Sequence, residues 1–328
     1  MKLLMLGGTE FVGHAITEEA LARGWEMTVF HRGRHQPPPG VRTLLGDRCQ
    51  DGGLAALERG EWDVVVDTWS GAPSVVRASA RLLAGRAGRH VYISSRSVYC
   101  DPRPAGQNEA APVVDAAPDL GEVEYAQAKR GGELAAEESF GERALLVRAG
   151  LVLGPRENIG RLPWWLLRIA RGGKVMAPGP EDSPIRFIDV RDLATWTLDA
   201  AVRGLGGPYD LVCPPGHGTM GELLRACAEV TGSDAELCWT EPEAVLAAGA
   251  RPWIDLPVWL PPGELHDAIH GGSVDKALAA GLRCRPMRET VAGTWQWLRE
   301  LDGPPPQRPD RPVVGLQPDL EARILRGE

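Results

Sequence analysis

A short apolar run, Lys2-Leu3-Leu4-Met5-Leu6, passes directly into Gly7-Gly8-Thr9-Glu10-Phe11-Val12-Gly13, and residues 14–23 then carry apolar side chains at helical spacing. Together these pieces read as a strand, a glycine-rich turn and a helix. Such a turn lets the backbone approach a pyrophosphate closely and aims helix N-terminal N–H groups, with the positive end of the helix dipole, at it. A dinucleotide is therefore the expected guest of Gly7, Gly8, Thr9, Glu10, Phe11, Val12 and Gly13. The spacing is unusual, because only Gly7 and Gly13 keep their places and Glu10 stands where a middle glycine belongs. Taken alone, the turn could do no more than pack helix against strand.

The chain that follows repeats the alternation. Residues 25–30 and 41–45 read as strands, 62–67 is a nearly continuous apolar strand ending in Asp67-Thr68, 72–87 is a helix with Pro73 in its first turn, and 89–94 is a fifth strand. A loop spans 100–123, and a helix runs from Tyr125 through Phe140. Continuous apolar strands alternating with helices imply a parallel sheet covered on both faces. The expected fold is α/β, a doubly wound Rossmann sheet with a smaller C-terminal substrate-binding region. The expected division is 1–155 plus about 186–203 for the dinucleotide domain, 156–185 and 204–301 for the substrate region, and 302–328 as a Pro-rich tail with a short docking helix at 318–326.

The second strand bears on the choice of nucleotide. An acidic residue near its end accepts from the adenosine ribose hydroxyls, whereas an arginine neutralises a 2′-phosphate. No carboxylate lies between Thr28 and Gly40, while Arg32 follows the strand, with Arg34 as a second candidate. NADP is thus expected over NAD. Asp47 falls where an adenine-edge contact would lie, and Asp67, Thr68 and Ser94 at later strand ends complete the expected cofactor contacts.

Residues 1 to about 200 resemble the extended or atypical short-chain dehydrogenase/reductase superfamily, its NAD(P)-dependent epimerase/dehydratase group. The marks come in the family's order: Gly7 to Gly13, Asp47, Ser94-Ser95, Tyr125-x-x-x-Lys129, Arg148-Ala-Gly-Leu-Val-Leu-Gly-Pro155 and Phe187-Ile-Asp-Val-Arg-Asp192. The Gly-Gly-Thr-x-Phe-Val-Gly opening resembles a branch with this altered glycine pattern. By that resemblance Tyr125 is the general acid/base, Lys129 binds the nicotinamide ribose and lowers the tyrosine pKa, and Ser95 holds the reacting oxygen, with Ser94 as the fallback. A phenol near pKa ~10 is a poor base at neutral pH, and each unit of depression corresponds to about 1.4 kcal/mol.

The implied activity is an NADP(H)-dependent oxidoreductase of the carbonyl reductase or alcohol dehydrogenase type, acting on a small apolar or aromatic substrate. One alternative is a sugar-nucleotide epimerase or dehydratase that retains NAD. Nucleotide-sugar members carry an Asn after the sixth strand, where this chain has Ala149-Gly150, and an Arg at the place of Ile185, and both departures count against that alternative. A nucleotide-sensing or RNA-binding protein is the alternative of another class, since some relatives with this opening are associated with RNA. The formal charge of -8, spread without basic blocks, and the intact Tyr-Lys pair argue against it.

Asn158, Arg161, Trp164 and Arg186 are candidate substrate anchors. Trp164, Trp165, Trp253 and Trp259 are expected in the core, with a pocket lining as the alternative. His266 and His270 lie between Pro261-Pro262-Gly263 and Gly271-Gly272 and are read as surface-loop residues, so no metal is expected. Six cysteines without paired spacing read as reduced thiols, and no apolar run is long enough to span a membrane. These features point to a cytoplasmic protein, and a homodimer or monomer is expected.

Overall fold

The apolar runs form strands and the helical spacings form helices in the computed structural model, which describes every residue except 103–105, part of the expected 100–123 loop. The first elements are β1 (Lys2–Leu6), α1 (Phe11–Ala22), β2 (Glu26–His31), β3 (Arg42–Leu45), β4 (Trp62–Asp67), α2 (Pro73–Leu83), β5 (Ala87–Ser95), α3 (Tyr125–Phe140) and β6 (Ala144–Ala149). After them come β7 (Val152–Leu153), α4 (Arg161–Ala170), β8 (Lys174–Pro178), β9 (Ile188–Asp189), α5 (Val190–Val202), β10 (Gly207–Leu211), α6 (Met220–Thr231) and β11 (Glu236–Thr240). The remaining helices are α7 (Pro242–Ala247), α8 (Glu264–His270), α9 (Asp275–Ala279), α10 (Met287–Arg299) and α11 (Pro318–Arg326).

Two compact units result. The first comprises Met1–Gly150, Val190–Val212 and Ser273–Arg283. Its sheet has seven strands in the order β3-β2-β1-β4-β5-β6-β10, all parallel, and the order reverses between β1 and β4. In such a sheet the reversal opens a crevice at the carboxyl ends of the strands. Strands covered on both faces need apolar residues throughout, and β6 is buried at every position. On one face Leu4, Leu6, Val65 and Leu146 pack against Val76, Ala80 and Leu83 of α2 and Ala135, Ala136 and Phe140 of α3. Each of the leucine, valine and phenylalanine side chains contributes about 1.5–3 kcal/mol by leaving water. α1 and α5 are joined by an ion pair of 2.7 Å between Arg23 and Asp199.

The division departs from the expected boundaries in several segments. Residues 151–155 and 186–189 belong to the second unit, while 204–212 and 273–283 belong to the first. Hydrogen bonding explains the change, because β10 pairs with β6 from Gly207↔Leu145 to Leu211↔Ala149. The 273–283 segment follows it: Lys276 Nζ donates to Pro208 O at 2.6 Å and Trp196 Nε1 donates to Ala280 O at 3.1 Å.

The second unit comprises Leu151–Asp189, Cys213–Gly272 and Cys284–Glu328. It holds two parallel strand pairs, β8 with β11 and β7 with β9. Its core joins Trp165, Leu166 and Ile169 of α4 to Leu223 and Leu224 of α6 and Val291 and Leu298 of α10. Thr219 and Glu222 form a reciprocal capping box that starts α6. α11 is docked: Ile324 is buried, and the Glu321 carboxylate accepts from Arg168 Nε at 2.7 Å and from Met176 N at 3.1 Å.

Candidate active site

The glycine turn leaves β1 beside the reversal of strand order. Gly7 and Gly8 have φ of +111° and +86°, in the left-handed region that favours glycine. A Cβ on Gly7 would stand 2.6 Å from Thr68 Oγ1, and one on Gly13 would stand 2.7 Å from Gly8 N. The turn is therefore a cradle that side chains would fill. Glu10 is the residue preceding α1, yet its side chain makes no capping bond to the helix, and the first turn carries no acidic residue. These features fit the diphosphate of a nicotinamide dinucleotide, held by the backbone of Gly7 to Gly13. Thr68 Oγ1 donates to Leu6 O at 3.2 Å, which ties the end of β4 to the cradle.

Arg32, Arg34 and His35 are exposed on the loop leaving β2, and His35 Nε2 lies 3.2 Å from Glu10 Oε1. Asp47 Oδ1 accepts from Cys49 N at 3.1 Å and closes the turn after β3. Asp67, expected as a cofactor contact, is fully buried and turned inward instead. Arg48 donates to both its oxygens, at 2.7 and 2.6 Å, and Trp69 N donates to Oδ1 at 2.9 Å. Burial pushes the Asp67 carboxyl up, but the Arg48 charge and hydrogen bonds outweigh it and hold the group below the usual range. The neighbouring Arg48 was missed in the sequence because its partner lies in another strand.

α3 supplies the expected tyrosine and lysine. Tyr125 opens the helix, at the border of exposure, and Lys129 lies one turn later on the same face. Lys129 is buried, with Nζ donating to Trp69 O at 2.6 Å and to Ile93 O at 2.7 Å, and standing 4.9 Å from the Tyr92 ring centre. Gly132 makes this seat possible, since a Cβ there would stand 2.3 Å from the Tyr92 hydroxyl. The lysine thus fastens α3 to β5 two residues ahead of Ser95. Ser95 Oγ accepts from Ser97 N at 3.1 Å and shapes the helical turn that follows β5.

Ser94 is withdrawn from the site. Its hydroxyl donates to Glu133 Oε1 at 2.7 Å within a buried network. Arg148 donates to Glu133 through Nε at 2.9 Å and Nη2 at 3.0 Å, and through Nη1 to the Tyr99 hydroxyl at 3.1 Å. Tyr99 donates in turn to Asp210 Oδ1 at 2.7 Å. Burial raises the pKa of Tyr99, as does adjacent Asp210; burial also raises that of Asp210, although Arg96 opposes it. Glu133 stands four residues after Lys129, the same-face spacing that could have exposed it in the sequence.

The remaining candidates lie in the second unit and serve its packing. Arg186 is buried: Nε donates to Cys213 O at 2.7 Å, and Nη1 donates to Gly271 O at 2.5 Å and Gly272 O at 2.7 Å. Its side chain is spent on backbone carbonyls rather than presented to a substrate. Asn158 is buried and its backbone carbonyl accepts from Arg308 N at 2.9 Å. Arg161 stacks over Trp253 at 5.6 Å, and Trp164 meets Trp165 edge-on at 4.6 Å. Trp165 and Trp259 are core residues, with indole N–H groups donating to Pro257 O and Gly179 O. His266 and His270, expected in a surface loop, are buried on α8 with rings 4.9 Å apart, and His270 Nδ1 accepts from Arg186 N at 3.0 Å. Among the described residues no group of three or more His, Cys, Asp or Glu is arranged to hold a metal ion, and no helix is long and apolar enough to cross a membrane.

The parallel sheet with its order reversal, the glycine cradle and the Tyr-Lys helix define a dinucleotide-dependent enzyme class. The chain matches the sequence model of the NAD dependent epimerase/dehydratase family over residues 3–208 and belongs to that family. It is an NAD(P)-dependent enzyme of the short-chain type. Its fold is similar to that of UDP-galactose 4-epimerase, at 18% identity and a TM-score of 0.64 over 92% of this chain and 99% of that one. Epimerase Mth375 of Methanothermobacter thermautotrophicus is 17% identical, with a TM-score of 0.66 over 91% and 92% of the two chains. Bordetella bronchiseptica WbmG, solved with NAD and UDP, is 18% identical, with a TM-score of 0.65 over 91% and 94%. Comparison with curated proteins gives no match. The family assignment favours the epimerase/dehydratase alternative over the carbonyl-reductase reading expected from the sequence.

Proposed function

We propose that this protein is an epimerase or dehydratase that keeps its nicotinamide nucleotide bound and oxidises a hydroxyl-bearing carbon of a sugar nucleotide only transiently. The observation that carries this reading is the seating of Tyr125 and Lys129 on α3, with Lys129 fastened to β5 just ahead of Ser95. The backbone of Gly7 to Gly13 would hold the diphosphate of a nicotinamide nucleotide, which would supply the acceptor and donor of hydride. Tyr125 takes the proton of the substrate hydroxyl and returns it. The Lys129 ammonium, held by two carbonyls, keeps a fixed positive charge one helical turn from the phenol. Ser95 steadies the substrate oxygen by hydrogen bonding. The names of the neighbours, one a UDP-galactose epimerase and another solved with UDP, support a nucleotide-linked substrate. Ala149-Gly150 and Ile185 imply that this chain grips the substrate with other side chains than those members use.

Exposed Arg32 favours a second reading, an NADPH-dependent carbonyl reductase. Mass spectrometry of nucleotide released from the denatured protein, followed by NMR of UDP-hexoses incubated with fresh protein, separates the two. The expected result is a co-purifying nicotinamide nucleotide and an epimerised or dehydrated UDP-sugar with no net consumption of nucleotide. Stoichiometric NADPH oxidation by an apolar carbonyl compound, with every UDP-sugar unchanged, would replace this reading by the reductase.

A further inference from the structure

Glu10 holds the middle place of the glycine turn, where a glycine would leave the cradle without charge. Its carboxylate reaches away from the helix to His35, 3.2 Å distant, on the same loop that carries Arg32 and Arg34. In a doubly wound sheet this loop flanks the adenosine ribose, and the side chains there distinguish a 2′-hydroxyl from a 2′-phosphate. The contact therefore brings a carboxylate to the ribose edge from the glycine turn, although β2 contributes none. Both side chains remain accessible to a ligand, at 48% exposure for Glu10 and 58% for His35. A carboxylate accepts from ribose hydroxyls and repels a phosphate, whereas Arg32 does the reverse.

We propose that Glu10 is a specificity-determining residue for the nucleotide. It supplies the ribose-accepting carboxylate that β2 lacks and opposes Arg32, so that NAD(H) and NADP(H) are both accepted. His35 tempers this effect by pairing with the carboxylate. The inference rests on the reading of the turn as a dinucleotide site.

The test is a titration of the full chain, first stripped of co-purified nucleotide by charcoal treatment, with NADH and, separately, NADPH at low ionic strength, following tryptophan quenching. Glu10→Gln lowers the NADPH Kd relative to the NADH Kd by about fivefold, the scale of one partly exposed charge interaction. Arg32→Ala and His35→Ala move the ratio the opposite way, and the His35→Ala effect shrinks in the Glu10→Gln background. Opposite signs from neighbouring variants separate charge selection from general loosening of the loop. If both nucleotides bind and Glu10→Gln leaves their ratio within about twofold of the parent, the inference is overturned and the dinucleotide reading stands. If the parent protein binds neither, the dinucleotide reading itself fails and the inference falls with it.

Discussion

His90 provides a measurable link between the interior of the first unit and pH. It sits in the middle of β5, opposite Val65 and Ala144, with no exposed surface, and its ring lies 5.0 Å from that of Phe140. Neither ring nitrogen has a hydrogen-bond partner among the described residues. Burial lowers its pKa from 6.5 to about 4, with Asp67 opposing the shift and Arg48 adding to it. The folded protein thus binds this proton more weakly than the unfolded chain. Stability from the neutral ring is complete above the unfolded value and declines as pH falls through the window from 6.5 to about 4. The full span of two and a half units corresponds to about 3 kcal/mol, of which about 2 kcal/mol is lost by pH 5. Urea denaturation of the parent and of His90→Leu, near pH 7.5 and near pH 5, isolates this contribution. The parent should lose about 2 kcal/mol more than the variant on acidification. Equal losses in the two proteins would refute the assignment of a neutral, depressed His90.

Three further perturbations probe the site and its support. Tyr125→Phe should abolish turnover while nucleotide affinity, read by tryptophan quenching, stays near that of the parent; undiminished turnover would remove Tyr125 from the mechanism. Asp67→Asn leaves the buried Arg48 guanidinium without its counter-charge and should cost roughly 3–5 kcal/mol in urea denaturation. Because the Asp67 pKa is lowered on folding, its stabilisation is present above the normal carboxylate range and is lost as pH falls through the depressed value. Gly13→Ala places a methyl group 2.7 Å from Gly8 N, so it should displace α1 from the turn and weaken both NADH and NADPH in calorimetric titration. Unchanged affinity would show that the cradle does not need the close approach.

The frame of the first unit was legible because its signals are local. Lys2–Leu6 and Trp62–Asp67 are continuous apolar strands, and Tyr125–Phe140 keeps its expected bounds. Partnerships across the chain left no such local mark. Arg48 follows the noted Asp47, but its pairing with Asp67 spans 19 residues, and Tyr99 meets Asp210 across 111. The 207–211 strand was recognisable, whereas its place beside β6 depends on tertiary pairing. The charge of Arg186 suggests a substrate anchor, yet three carbonyls of a distant helix end consume it. The two α8 histidines were misread because the flanking proline and glycine residues suggested a loop, while the four-residue spacing places both rings on one buried helix face. Glu10 was visible as an irregularity in the turn, but its direction toward His35 was not.

The two units are threaded through one another along the chain, and this constrains how the protein is made. The edge strand that satisfies β6 is Gly207–Leu211, and the segment that secures it, Ser273–Arg283, emerges from the ribosome after most of the second unit. Met176 N in turn waits for Glu321. Simple vectorial folding, in which an N-terminal domain is finished before the next one begins, is closed to this topology. The nascent sheet must carry an open β6 edge through the synthesis of 57 intervening residues, from Gly150 to Gly206, before its final strand can add.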